Sequence, residues 1–205
     1  MAIASKSTVG ALRTMSGSWW NLNCQATDAT EHLNVGTLNG KVVGGSPTGF
    51  AAFYAKTVQS IFVTPAFSGL SALTLNVAGY NQFNELVNEN LVFAAATAQQ
   101  TTLCYRRVTG CTIVAMTGTP AAGDTVSIGY SLVNPRVPMM AKVPAGAVLA
   151  VYDVNQTGTQ PTFTAQDVVS GAARYNIAAA TVTIVTPTTG HGLIYVCVDP
   201  GAGGL

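Results

Sequence analysis

Ser71–Ala78 reads Ser-Ala-Leu-Thr-Leu-Asn-Val-Ala, a strict alternation with one apolar side. Successive side chains of an extended chain point to opposite faces, so a period of two builds a half-buried strand and not an amphipathic helix. Further β-prone runs lie at Gly40–Gly45, at Val58–Val63 with Thr64-Pro65 ending it, and at Tyr105–Ala115. Others follow at Thr125–Tyr130, Ala147–Val154, Ala180–Val185 and Leu193–Val198. Turn residues separate them: Thr119-Pro120-Ala121-Ala122-Gly123-Asp124, Pro135, Pro138, Gly158, Pro161, Pro187, Gly190 and Pro200. Proline presets φ and glycine reaches positive φ, which is what a chain reversal needs. A single segment carries the helical period, Asn84–Asn90, with Phe83, Leu86, Val87 and Leu91 on one side and Glu85 and Glu89 on the other. The expected fold is all-β, an antiparallel sandwich or barrel of the jelly-roll kind with one or two short helices.

Charge decides what such a fold is for. Of 205 residues only 8% are charged, 9 basic against 8 acidic, for a net charge of +1. A typical soluble domain carries about 25%. A chain this neutral has no broad basic patch for tight nucleic-acid binding as a monomer, and it is too apolar to stay disordered. No apolar run reaches the length of a spanning helix, so no membrane is expected as a partner. A surface poor in Lys and Glu is poorly protected against self-association, so much of it is expected to be covered by further copies of the chain. Residues 1–27 hold Lys6 and Arg13 and no acid, and Ser, Thr and Gly interrupt them throughout. They read as an N-terminal arm rather than a secretory signal, with residues 28–205 as one domain. Four cysteines, Cys24, Cys104, Cys111 and Cys197, need not form a disulfide framework in a domain of this size. On one continuous strand Cys104 and Cys111 would be about 23 Å apart on opposite faces, too far to bridge.

The residues offer no catalytic constellation, and no enzyme is expected. The histidines are His32 and His191, neither in a His-Glu-x-x-His pattern, and no Cys-x-x-Cys or Gly-x-Ser-x-Gly occurs. Gly36–Lys41 has the wrong glycine spacing for a phosphate loop, and Val42 stands where magnesium would need a hydroxyl. Glu85 and Glu89 read as a solvated helix face. Asp153, Asp167 and Asp199 lie at expected strand ends, where turns and caps use aspartate. Asp153 and Asp199 are weak candidates for a structural calcium between subunits, and no cofactor is otherwise expected. Alternation sends Arg106 and Arg107 to opposite faces, one to the core rim and one to a subunit or phosphate contact. Trp19-Trp20 and Phe50, Phe53 and Tyr54 read as packing or interface anchors.

Tyr105-Arg106-Arg107-Val108-Thr109-Gly110-Cys111-Thr112-Ile113-Val114, followed by Gly118-Thr119-Pro120-Ala121-Ala122-Gly123-Asp124-Thr125-Val126-Ser127-Ile128-Gly129-Tyr130, resembles the central strand pair of certain viral coat proteins. These are the coat proteins of small icosahedral RNA viruses of the tombusvirus, sobemovirus and nodavirus kind. The shared features are an aromatic-Arg opening, an alternating strand, a Thr-Pro turn and a strand with a Gly-aromatic ending. The resemblance implies an eight-stranded antiparallel jelly-roll sandwich that tiles a closed shell. It departs from the pattern twice: the arm offers only Lys6 and Arg13, and Ser131-Leu132-Val133-Asn134 lacks the acidic pair that would hold calcium. The reading implied is a capsid protein of the virion, assembled in the host cytoplasm from many copies around nucleic acid held weakly and non-specifically. Lys6 and Arg13 would face that nucleic acid, while Arg106, Arg107, Trp19 and Trp20 would serve interfaces. The alternatives are an accessory virion protein (protruding, fibre or cement domain) and a carbohydrate-binding β-sandwich using Trp19, Trp20 or Tyr80.

Overall fold

The computed structural model describes residues 18–23, 27–131, 133–142, 148–155, 162–166, 175–176, 178–184 and 193–198. In chain order its strands are β1 (Ser18–Asn23), β2 (Asp28–Thr37), β3 (Phe53–Ala66), β4 (Leu70–Tyr80), β5 (Leu86–Phe93) and β6 (Gln99–Gly118). Then come β7 (Thr125–Tyr130), β8 (Arg136–Pro138), β9 (Val148–Asn155), β10 (Thr162–Gln166), β11 (Tyr175–Asn176), β12 (Thr181–Thr183) and β13 (Leu193–Val198). The described residues are all-β and contain no helix. The chain divides into two compact units, Gln25–Ser131 and Met1–Cys24 with Leu132–Leu205.

The first unit is one antiparallel sheet in the order β2-β7-β3-β6-β4-β5. β4 shows why it forms. Leu73, Leu75 and Val77 are buried, while Ala72, Thr74, Asn76 and Ala78 point the other way, as the period of two requires. Every strand of the sheet supplies the same buried cluster, including Leu33, Ile61, Leu75, Phe93, Ile113 and Ile128. Each of these side chains contributes about 1.5–3 kcal/mol by leaving water.

The β3–β4 and β6–β7 connections each skip one strand of the sheet, and they meet. Asp124 joins them. Its buried carboxylate accepts backbone N–H groups of Ser68 at 2.6 Å, Gly69 and Leu70 at 3.1 Å, and Ala121 at 2.5 Å. Burial pushes this carboxyl up, but the four backbone donors outweigh it and hold the pKa at about 2.

Three expectations change. Asn84–Asn90 is not a helix: Leu86–Phe93 runs as strand β5, in unbroken register with β4 from Leu73–Phe93 to Tyr80–Leu86. Val87, Leu91 and Phe93 satisfy a period of two along β5, and pairing with β4 decides between the two periods. Gly40–Gly45 is not a strand but a pair of turns, with Gly40 at φ 70° and Gly44 at φ 89°, and Gly44 and Gly45 exchange backbone bonds with Ile113. Pro65 does not end its strand. It lies beyond the last β3–β6 pair, Val63 with Gln99, and pairs with Val126 on the remaining side.

In the second unit, β1-β13-β9-β10 and β11-β12-β8 form two antiparallel sheets. β1 lies within the segment read as an arm and pairs along its length with β13, Ser18 opposite Val198 and Asn23 opposite Leu193. β8 and β12 are extended by Met139 N–H donating to Ala180 O and Ile184 N–H to Pro135 O, and Val137, Met139, Val182 and Ile184 are buried.

Candidate functional site

Residues directly opposite each other in an antiparallel sheet share a face. Tyr54 on β3 is opposite Arg107 on β6, Arg107 is opposite Tyr80 on β4, and Tyr80 is opposite Leu86 on β5. A row Tyr54–Arg107–Tyr80 therefore crosses three neighbouring strands. The Arg107 guanidinium lies over the Tyr54 ring, 5.0 Å from its centroid. Tyr54, Tyr80, Asn84, Arg106 and Arg107 line one open recess of about 270 Å³.

Alternation predicts opposite faces for the two arginines, yet both border this recess. The reason is a break in register. Tyr54 pairs with Arg107 and Gln59 with Tyr105, so residues 55–58 of β3 face Arg106 alone. On the other edge of β6, Ala78 pairs with Gly110 but Gly79 with Val108, which leaves Thr109 extra. β6 is thus irregular on both edges around its arginine pair. Gly79 permits the approach: a Cβ there would fall on the Arg107 carbonyl oxygen.

Asn84 reaches the recess from the β4–β5 turn, at φ 63°. Asn81 shapes that turn. Its Oδ1 accepts the Phe83 and Glu85 N–H groups, both at 2.9 Å, and its Nδ2 donates to Glu85 Oε2 at 2.8 Å. Glu85, the acid beside Asn84 in sequence, is thus tied to Asn81 through both its N–H and its carboxylate. Lys56 forms an ion pair with Glu31, and among the described residues neither Arg106 nor Arg107 meets a carboxylate.

Outward from this row the same sheet face carries no charge. Its next rows are Asn88–Ala78–Gly110, Asn90–Asn76–Thr112 and Val92–Thr74–Ala115. Asn76 Nδ2 donates to Asn90 Oδ1 at 2.7 Å across the middle row, while Leu86 and Val92 stand 71% and 60% exposed.

Other ionisable groups are structural. Glu89 accepts the N–H groups of Thr102 and Leu103, tying β5 to the start of β6. It makes no pair with Glu85 across a helix face. His32 stacks on Phe53 at 3.7 Å and meets Tyr130 edge-on at 4.9 Å, with Nε2 buried and without a hydrogen-bond partner. Burial lowers its pKa below the usual histidine value. The Tyr130 hydroxyl accepts the Lys56 N–H at 3.1 Å, and burial pushes its pKa up to about 12. Cys104 and Cys111 are buried thiols of β6. Among the described residues no cluster of three or more His, Cys, Asp or Glu side chains is placed to hold a metal. No helix among them is long and apolar enough to cross a membrane.

Of the residues singled out by sequence, Arg106, Arg107, Tyr54 and Tyr80 come together. Phe50 and Phe53 instead pack against the core. Trp19 and Trp20 lie on β1 opposite Cys197 and Val196, and Asp153 on β9 opposite Thr164 and Ile194. Lys6, Arg13, Asp167, His191 and Asp199 lie outside the described residues. Asn84 was missed as a site residue because its signal, an Asn at a tight turn, sat inside an apparent helical period. No protein-family model, curated protein or solved structure matches the chain.

Proposed function

We propose that the protein is a structural coat protein that assembles from many copies into a closed icosahedral shell around nucleic acid, in the virion and in the cytoplasm of its host. The observation that carries this reading is the uncharged sheet face of β4, β5 and β6. Three rows of Asn, Thr, Ala, Gly and Val run across it without one charged side chain, with Val92 exposed at its edge strand. Monomeric β proteins guard such edges with lysine, proline or inward charge. A chain that leaves them bare is suited to bury them against its own replicas, where charge would have to be desolvated. A jelly-roll winding belongs to the same proposal. Its support is antiparallel pairing throughout and connections that skip a strand, as Greek-key chains make them.

Negative-stain microscopy of the purified chain tests it. Uniform spheres are expected from the wild type. Val92→Lys should abolish them while leaving the far-ultraviolet dichroism unchanged. A wild-type chain that stays monomeric at high concentration, or spheres that form equally well with Val92→Lys, would remove the proposal or its interface.

A further inference from the structure

We propose that the recess of Tyr54, Tyr80, Asn84, Arg106 and Arg107 binds a nucleotide unit, with phosphate on the two guanidiniums and base on the tyrosine rings. The inference rests on a single copy of the chain and does not depend on shell formation. Three observations carry it. First, two adjacent arginines line one cavity without a carboxylate partner among the described residues, in a chain with only 9 basic side chains. Two like charges at one recess favour an anion with several acceptor oxygens, which guanidinium groups take through forked, charge-assisted hydrogen bonds. Second, two phenol rings flank Arg107 on neighbouring strands, and Tyr54 is 67% exposed although Phe50 and Phe53 nearby pack inward. Exposed aromatics beside arginines form the platform on which single-stranded bases stack. Third, Asn84 brings an amide able both to donate and to accept to the same rim, as the edge of a base requires.

The volume sets the size of the ligand. About 270 Å³ falls just under the ~300 Å³ at which pockets for drug-sized molecules begin, so the recess suits one nucleotide rather than a dinucleotide cofactor. A free nucleoside monophosphate and one residue of a single strand share this chemistry. An anionic sugar shares the charge but not the flat aromatic base.

Binding to the full-length chain is measured with two probes, uridine 5′-monophosphate by calorimetry and a fluorescein-labelled oligouridylate by anisotropy. Arg106→Gln and Tyr54→Ala should each weaken binding about tenfold, the size expected of one charge-assisted contact or one stacked base. Lys41→Gln should leave it unchanged. Arg106 is exposed, so its variant is expected to keep the wild-type melting temperature and to report on binding alone. Monophosphate binding with this pattern supports the proposal with a free nucleotide as sufficient ligand. The same pattern with the oligonucleotide alone supports it with a strand as the source. The proposal is overturned if neither probe binds, or if neither variant weakens binding. It is equally overturned if inorganic phosphate or sialyllactose competes as well as the monophosphate. Microscopy of the variants separates this result from shell formation, since spheres with no nucleotide binding refute only the recess.

Discussion

At the scale of single residues, Asp124 does more than its place in the Thr119–Asp124 turn suggests. Its carboxylate is the shared acceptor for two chain connections that cross, and truncation to alanine strands several buried N–H groups at once. One unsatisfied buried donor costs about 1–3 kcal/mol, so Asp124→Ala should lower stability by about 3 kcal/mol or more, read from denaturant midpoints at constant m-value. The same contact sets an acid limit. The carboxyl's pKa is about 2 in the fold against an ordinary 3.8, so its contribution is complete above about pH 4 and is lost as pH falls towards 2. His32 acts in a higher window. The folded protein resists protonating it, chiefly because the ring is buried between Phe53 and Tyr130; Glu31 and Asp28 favour the charged form and Lys56 opposes it. The unfolded chain then binds the extra proton, so stability should fall as pH drops below the ordinary histidine value of 6.5. His32→Phe should flatten that slope between about pH 7 and 5 in denaturant titrations, and an unaltered slope would assign it to other groups.

Elements were legible where pattern and neighbours agreed. Thr125–Tyr130 is a strand with the bounds its alternation gives, Leu193–Val198 one with the bounds of its β-prone run, and Ser71–Ala78 lies within β4. β5 was not legible, because Val87 and Leu91 fit both a helix and a strand, and only the β4 ladder selects the strand. The recess was half legible. Arg106 and Arg107 stand out in a chain this poor in charge, but their common face depends on two breaks in register that local alternation cannot announce. Gly79 sits at the break on the β4 edge, where the two backbones approach closely. Gly79→Ala would press a methyl onto the Arg107 carbonyl, so a cost of about 1–3 kcal/mol is expected, a drop of several degrees in Tm. Gly110→Ala is the matched control, since its Cβ would meet only Ala78 Cβ at 3.8 Å. Equal melting temperatures for the two variants would show that the β4–β6 approach is not tight.

For the whole molecule, low charge is the property that connects the fold to the proposed assembly, and salt is the variable that tests the connection. Docking through charged patches weakens as ions screen it: the Debye length shrinks from about 10 Å at 0.1 M salt to about 3 Å at 1 M. Docking through rows of Asn, Thr, Ala and Val has little Coulomb energy to lose, and its apolar part does not weaken with added salt. Particles of this chain should therefore sediment unchanged across that range. A nucleotide held by Arg106 and Arg107 should behave oppositely, since neutralising one phosphate of a single strand gives a log–log slope of about −0.7. One salt series thus separates the two surfaces of the same sheet. Dissociation of the particles before 1 M would place ionic contacts at the subunit boundary, and the uncharged face would no longer account for assembly.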